Sequence, residues 1–300
     1  MKRILSLRGG GAKGPAQVRA LQWLEEYTER RVCDMFDLII GTSVGSINGA
    51  LLASGDLSAE EVLQEMRETL PKVFTRRRFK RAKYSKAPLR KAFDRLLGPG
   101  FTMGDVKTKL IITAHEMTED RERFFKSWEP TANNGQLGIF EAVDRSSAAP
   151  YYFGYVFADE GSRVWSDGGV GIFNNPAMYG HVEAQRQGWH ESDTVVSIDL
   201  GCGSASRSRT PSDLKNDRKL GQILKYISLK DGGLAHGAAM SGMSGLAEAE
   251  GVGEWWKPFT VEAVIPEHLD KMDNVKAFDE YVKIGDGLGR DLISAYDSIV

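Results

Sequence analysis

Three short stretches carry residues that could do chemistry, and glycine frames each of them. The first is Gly41-Thr42-Ser43-Val44-Gly45. A serine at a sharp strand-to-helix turn needs a strained backbone, and glycine two residues to either side removes the side chains that would clash. Its hydroxyl would stand at the positive end of the following helix, where a nucleophilic alkoxide or a developing oxyanion is favoured. A glycine-packed turn without chemistry competes with that reading, because a G-x-S-x-G string also arises by chance in a glycine-rich chain. The second stretch is Gly9-Gly10-Gly11-Ala12-Lys13-Gly14, with Pro15 placed to open a helix. Strand, glycine loop and helix in that order point several backbone N–H groups at one anionic atom. A dinucleotide loop matches the G-x-G-x-x-G string, but no second nucleotide half is evident. A phosphate-binding P-loop fails, since Gly14 rather than Ser or Thr follows Lys13. An oxyanion hole fits best, with plain turn glycines as the alternative. The third stretch is Asp167-Gly168-Gly169. An Asp-Gly turn would be its ordinary meaning, but a carboxylate at a strand end in a chain with a strand-end serine invites a catalytic one.

A histidine partner for Ser43 is not evident. His115, His181, His190, His236 and His268 fall in loops or on polar helical stretches, and each reads as a surface or packing residue. Cys202, in Gly201-Cys202-Gly203-Ser204, has no local base or metal pattern and reads as a small buried side chain. No cluster has zinc- or calcium-ligand spacing, so neither metal nor cofactor is expected.

The elements that must hold these residues follow from apolar patterning. Strands are expected at Arg3–Leu7, Phe36–Ile40, Lys109–Thr113, Arg123–Ser127, Arg163–Ser166, Thr194–Leu200 and Phe259–Ile265. His115 to Arg121 reads as the loop of a hairpin. Helices are expected over Ala16–Tyr27 (Val18, Leu21, Trp23 and Leu24 inward), after Ser43 (Ile47, Ala50, Leu51 and Leu52 inward) and over Ala59–Leu70 behind the N-cap Ser58. Further helices are expected over Gly138–Ser147, Pro176–Gln187, Leu220–Gly251 (Met240, Met243 and Leu246 on one face) and Asn274–Ile299. The aromatic run Tyr151-Tyr152-Phe153 and Tyr155 to Phe157 reads as core packing or the wall of an acyl-chain pocket.

At 300 residues with 41% hydrophobic and 27% charged residues, the chain can bury a large core in one domain. A net charge of −2 argues against general nucleic-acid binding, and two cysteines suggest a reducing compartment. The short apolar start is no signal peptide and no run approaches a membrane span, so a cytoplasmic protein is expected, open to peripheral membrane contact. Lys72 to Arg95 is basic, centred on Arg76, Arg77, Arg78, Lys80, Arg81 and Lys83, without a clear amphipathic helix. A solvated face is the ordinary meaning. Docking to anionic lipid, with Phe79 and Tyr84 as apolar contacts, is the sharper one.

Taken together and in order, RGGGAKG, GTSVGS, SSAAPYYF, SDGGVGIFNNP and SIDLGCGS resemble the patatin-like phospholipase family. The resemblance implies an α/β fold, a three-layer sandwich with a mostly parallel central sheet flanked by helices, and a Ser–Asp dyad without histidine. Carried onto this chain, it makes Ser43 the nucleophile and Asp167 the general base. It gives an oxyanion hole to Gly9, Gly10 and Gly11, with Lys13 nearby. Gly14, Gly41, Gly45, Gly168 and Gly169 support these motifs. Residues 1–205 carry the likeness within one catalytic domain of residues 1–300, and 206–300 form a helical remainder. Two departures stand out. Arg8 occupies a position where many members have Asp, which would alter charge at the pocket mouth, and Gly171-Ile172-Phe173 is an unusual spacer. The implied activity is hydrolysis of glycerolipid esters. An acyltransferase, or a non-catalytic lipid- or ligand-sensing module on the same fold, is the alternative.

Overall fold

Ile4-Leu5 and Leu38-Ile39-Ile40 are apolar at successive positions, which suits strands covered on both faces. The computed structural model describes residues 1–78, 82–171, 173–205 and 255–298. The expected helix Leu220–Gly251, together with Phe79, Lys80, Arg81, Ile172 and His236, lies outside the described residues.

The strands are β1 (Lys2–Leu7), β2 (Leu38–Gly41), β3 (Lys109–Glu116), β4 (Arg121–Lys126), β5 (Val156–Ala158), β6 (Arg163–Asp167), β7 (Val195–Leu200), β8 (Ser204–Ala205), β9 (Trp256–Val261) and β10 (Val264–Ile265). The main sheet runs β5-β6-β3-β2-β1-β7-β9, with β4 also on β3. From β3 through β9 neighbouring strands are parallel; β4 and β6 run antiparallel to β3, and β5 to β6. The helices are α1 (Gly14–Thr28), α2 (Val32–Met35), α3 (Val44–Ala53), α4 (Ala59–Val73), α5 (Ala87–Leu97), α6 (Ile139–Ser146), α7 (Ala177–Arg186), α8 (Trp189–Ser192) and α9 (Phe278–Asp297).

Alternation along the strands sorts the apolar residues into two layers. Leu5, Leu7, Ile39, Leu110 and Ile112 face the larger core under α1, α3, α4, α6 and α9. Ile4, Leu38, Ile40 and Ile111 face the smaller core, with Tyr179 and Trp189 from α7 and α8. The fold is thus the expected sandwich about a mostly parallel sheet.

Register decides where the chemistry-bearing residues land. Leu7 pairs with both Gly41 and Leu200, so β1, β2 and β7 end at one level. Beyond their carboxyl ends, where ligands of open α/β sheets bind, stand the glycine loop, Ser43 and Gly201-Cys202-Gly203. Because β4 lies along Ile111 to Glu116 on one edge of β3, β2 and β6 must share the other edge. On that edge β2 stops at Gly41 opposite Ile112, and β6 arrives from the opposite direction to stop at Asp167 opposite Ala114.

Several expectations need correction. The hairpin strand β3 continues through His115 to Glu116, because Arg163 and Arg123 hold the buried Glu116 carboxylate and His115 pairs with Glu122. His181 is not on a polar stretch but buried, stacked on Trp255. Trp23 is only half-buried, donating its indole N–H to Asp286 of α9 at 2.9 Å. The basic region contains an amphipathic helix after all: α5 buries Leu89, Ala92 and Phe93 and turns Arg90, Lys91 and Asp94 outward. The strand expected over Phe259–Ile265 begins earlier and breaks into β9 and β10. Helix α3 is buried all round rather than on one inner face.

Candidate active site

Ser43 sits at the bend between β2 and α3. Its backbone has φ 53° and ψ −122°, outside the regions an L-residue favours, a strain of order 1–3 kcal/mol. The flanking glycines make that bend possible. A Cβ on Gly41 would fall 2.4 Å from the Gly45 carbonyl oxygen, and one on Gly45 would fall 2.2 Å from that of Leu7. No side chain fits at either place. The turn is braced by the Ser46 hydroxyl, which donates to the Ser43 carbonyl at 2.6 Å, and by the Thr42 hydroxyl, which donates to the Phe173 carbonyl at 2.6 Å.

The structure brings Ser43 and Asp167 together. Ser43 Oγ donates to Asp167 Oδ2 at 2.7 Å, and the Gly169 N–H donates to Oδ1 at 2.8 Å. Both residues are buried, 6% and 4% exposed. Burial pushes the Asp167 carboxyl up to about 6, against the opposing pull of the Ser43 hydroxyl, the Gly169 amide and the Lys86 charge. Ser146 ties the two halves together. Its Oγ accepts the Ser43 N–H at 3.0 Å, and its carbonyl accepts the Gly168 N–H at 3.1 Å. The Asp167 N–H is bonded to the Ala148 carbonyl at 3.1 Å, so the SSAAP stretch is a clamp on the strand end.

The glycine loop differs from expectation in two respects. The Gly9 N–H is already bonded to the Asn174 carbonyl at 3.0 Å, which leaves the amides of Gly10 and Gly11 without a protein acceptor among the described residues. Lys13 does not direct its ammonium toward Ser43. Its Nζ donates to the Gly203 carbonyl at 2.8 Å and pairs with Asp270 at 2.5 Å, anchoring the loop to the segments that follow β7 and β10. Met272 adds a second anchor, its carbonyl accepting the Ala12 N–H at 2.8 Å. Arg8 is likewise not at a pocket mouth. Its buried guanidinium grips Asp199 with two nitrogens and reaches Glu262 at 2.7 Å, while Asn175 Nδ2 donates to Asp199 at 2.8 Å. This cluster joins the carboxyl ends of β1 and β7 to the residue after β9, beneath the glycine loop. Burial pushes the Cys202 thiol up to about 12, so it is an unreactive packing residue.

Ser43 and Asp167 line one side of a cleft of about 750 Å³, open volume included, between α3, α4 and α5. Ile47, Met66, Leu70, Leu89 and Phe93 make its walls predominantly apolar, a shape and chemistry suited to a hydrocarbon chain. Tyr152 and Phe153 line it too, whereas Tyr151, Tyr155 and Phe157 from the same aromatic run are exposed.

Lys86 is a residue that sequence reasoning passed over. It lines the cleft beside Ser43 and Asp167, its side chain is 10% exposed, and its ammonium pairs with Asp144 at 2.6 Å. Burial pulls that ammonium down while Asp144 and Asp167 support its charge. In the sequence it was one lysine in a basic run, with nothing to mark it. Ser146 was visible as a motif letter without a role, Asn174 and Asn175 only as the cap of the helix that follows, where Asn175 Oδ1 does accept the Ala177 N–H at 3.0 Å, and Met272 lies where the sequence carries little resemblance. A serine hydroxyl bonded to a buried carboxylate, on an apolar cleft that Gly11 also lines, has the parts needed to form and collapse a tetrahedral adduct on an ester. Among the described residues no group of acids, histidines and cysteines could hold a metal ion.

The basic run keeps only part of its expected role. Arg76, Arg77 and Arg78 are exposed, but Lys83 pairs with Asp273 at 2.6 Å and Tyr84 is buried, donating to the same carboxylate at 2.7 Å. Lys83 is therefore no free cation, nor Tyr84 a lipid contact. No helix among the described residues is long and apolar enough to cross a membrane.

Several known phospholipases are similar to this chain in sequence. Proteins named cGAMP-activated phospholipase are similar to this chain in Escherichia coli (strain TW11681) and in Vibrio cholerae serotype O1. The first is 29% identical over 240 residues, covering 73% of this chain and 67% of the relative. The second is 32% identical over 207 residues, covering 61% and 58%. The chain thus spans about three-fifths to two-thirds of these relatives' lengths. Calcium-independent phospholipase A2-gamma of Mus musculus is 26% identical over 250 residues, 76% of this chain and 30% of that protein. Residues 5–180, which hold the glycine loop, the serine turn and the Asp167 strand end, match the family model of patatin-like phospholipases, and the chain belongs to that family.

Proposed function

We propose that the protein is a lipid acyl hydrolase that cleaves carboxylic esters of glycerolipids through an acyl-enzyme on Ser43. The observation that carries this reading is the 2.7 Å contact between Ser43 Oγ and a buried Asp167 beside an apolar cleft. With its carboxyl at about 6, Asp167 is ionised at neutral pH yet basic enough to take a proton, the match that general-base catalysis needs. The acyl chain lies in the cleft, and the ester carbonyl carbon meets Ser43 Oγ. As the C–O bond forms, the hydroxyl proton passes to Asp167 Oδ2. The carbonyl oxygen becomes an oxyanion held by the free amides of Gly10 and Gly11, donors of a type worth about 3–4 kcal/mol each. Collapse expels the lysolipid alkoxide, which takes the proton back from Asp167. Water then enters, gives its proton to the same carboxylate and attacks the acyl-enzyme. A free fatty acid leaves and Ser43 is restored. Lys86, held by Asp144, keeps a positive charge near Asp167 and favours its ionised form.

The test is incubation with defined phospholipids, followed by mass-spectrometric identification of released acids. Because two relatives are named for activation by cGAMP, it is run with and without that nucleotide. The wild type should release fatty acid and a lysolipid, and Ser43→Ala and Asp167→Ala should release none while remaining folded. Acid release by Ser43→Ala would refute the mechanism. So would a wild type that is silent in both conditions and whose Ser43 resists a fluorophosphonate. Added alcohols that capture the acyl group would reveal a transferase instead.

A further inference from the structure

The aromatic run at 151–157 divides in the structure, and its two halves face different surroundings. Tyr152 and Phe153 line the cleft, while Tyr151, Tyr155 and Phe157 are 72%, 47% and 68% exposed. Single exposed apolar side chains are ordinary, but a cluster on one short segment is not. Tyr27 is the one other large aromatic residue so exposed among the described residues. Tyr151 touches the Tyr152 ring and the Lys83 ammonium, but among the described residues nothing covers these three rings.

Charge adjoins them. The Lys83 N–H donates to the Tyr151 carbonyl at 3.4 Å, the Tyr84 N–H to that of Tyr152 at 2.8 Å, and the Arg77 N–H to that of Lys83 at 2.9 Å. The main chain thereby stitches the aromatic segment to the exposed Arg76, Arg77 and Arg78. None of these three arginines has an ion-pair partner among the described residues. Asp273 is already engaged by Lys83 and Tyr84, and of the acids that share a groove with Phe157, Asp144 is paired with Lys86. Beyond Phe157, Asp159 faces Arg163 at 3.7 Å.

We propose that Tyr151, Tyr155 and Phe157, with Arg76, Arg77 and Arg78, form the face by which this protein sits on an anionic lipid bilayer. Tyrosine suits the boundary between headgroups and acyl chains, since its ring is apolar and its hydroxyl stays wet. Phenylalanine gains by leaving water altogether, and free arginines meet lipid phosphates. Continuity with the cleft gives the surface its purpose, a point that rests on the lipid-ester reading. An acyl chain drawn from the bilayer passes the exposed rings and reaches Tyr152 and Phe153 without crossing water.

The experiment is co-sedimentation of the full chain with vesicles of phosphatidylcholine, with and without phosphatidylglycerol, at low and high salt. Hydrolysis of a water-soluble short-chain ester is measured in parallel. The triple variant Tyr151→Ser, Tyr155→Ser, Phe157→Ser should lose at least about tenfold in vesicle partitioning at any salt, which the transfer of little more than one ring accounts for. The triple variant Arg76→Glu, Arg77→Glu, Arg78→Glu should lose only the preference for anionic vesicles, and mainly at low salt, where charges are least screened. Both should keep the wild-type rate on the soluble ester. Wild-type partitioning by the aromatic variant, or a wild type that binds neither vesicle, overturns the proposal. A fall in soluble-ester hydrolysis in step with binding also overturns it, because the rings would then serve the cleft or the fold. So does a lipid-free dimer that the aromatic substitutions make monomeric, which would assign the face to a second copy. If vesicle binding behaves as expected but the wild type cleaves no ester with or without cGAMP and its Ser43 resists a fluorophosphonate, the hydrolase reading falls and the docking face stands.

Discussion

Replacing Asp167 with asparagine should stabilise the protein at neutral pH while abolishing its activity, and the gain should fade in acid. The shape of the side chain is kept, and what changes is a charge buried at the end of β6. Its carboxyl ordinarily titrates at 3.8 and here is pushed up to about 6. A group whose folded value is raised contributes its full stability below the unfolded value and loses it as pH rises through the folded one. At about 1.36 kcal/mol per pH unit between those values, the ionised Asp167 costs the fold about 3 kcal/mol above pH 7. By pH 5 about half of that cost has gone, and below about pH 3 almost none remains. Urea unfolding of wild type and Asp167→Asn at pH 5, 6, 7 and 8 and one ionic strength reads the difference directly. The variant should lead by about 3 kcal/mol at pH 8 and by about half that at pH 5. A gap that stays constant with pH, or a variant that loses ground as pH rises, would refute the claim that this carboxylate is held ionised against its surroundings. The same titration should set the acidic limb of kcat/KM, which falls as pH drops through about 6 because the base must be free of its proton.

Two further perturbations test the groups around the dyad. Lys86→Met removes the cation that favours the ionised form of Asp167. It should move the acidic limb of the kcat/KM–pH profile upward, whereas Lys86→Arg should restore it; an unmoved limb would show that the charge does not reach the base. Arg8→Met leaves the buried Asp199 and the half-buried Glu262 without their cation, and breaking such a cluster typically costs about 3–5 kcal/mol. That loss is read by urea unfolding at neutral pH, and a variant as stable as the wild type would refute the role given to the cluster.

Much of the site was legible because its chemistry is local in the chain. The bend at Ser43 needs glycine at 41 and 45 for contacts within the same turn and with Leu7, so five letters announce it. The glycine loop announces itself likewise. The role of each amide does not, because the Gly9 N–H is taken by Asn174, which the chain brings back more than a hundred residues later. Lys13 looked like part of the site and proved to be an anchor to Asp270. Lys86 looked like surface charge and lines the cleft. For long, flexible cations, sequence position says little, since the side chain goes to whichever carboxylate the fold presents. Helix α5 was obscured for a related reason: its three buried residues are separated by lysine and arginine, which mask a periodicity that tertiary contact reveals.

By itself the sequence determined most of the longer elements, the strained serine turn, the amide-rich loop and the carboxylate at the end of a strand, all consequences of short-range sterics and apolar spacing. The tertiary structure alone decided that β2 and β6 end toward each other on one edge of β3, which sets Ser43 against Asp167. It also decided which aromatic rings turn into the cleft and which turn to the outside. Those outcomes depend on sheet register and on burial, and both belong to the packed molecule as a whole.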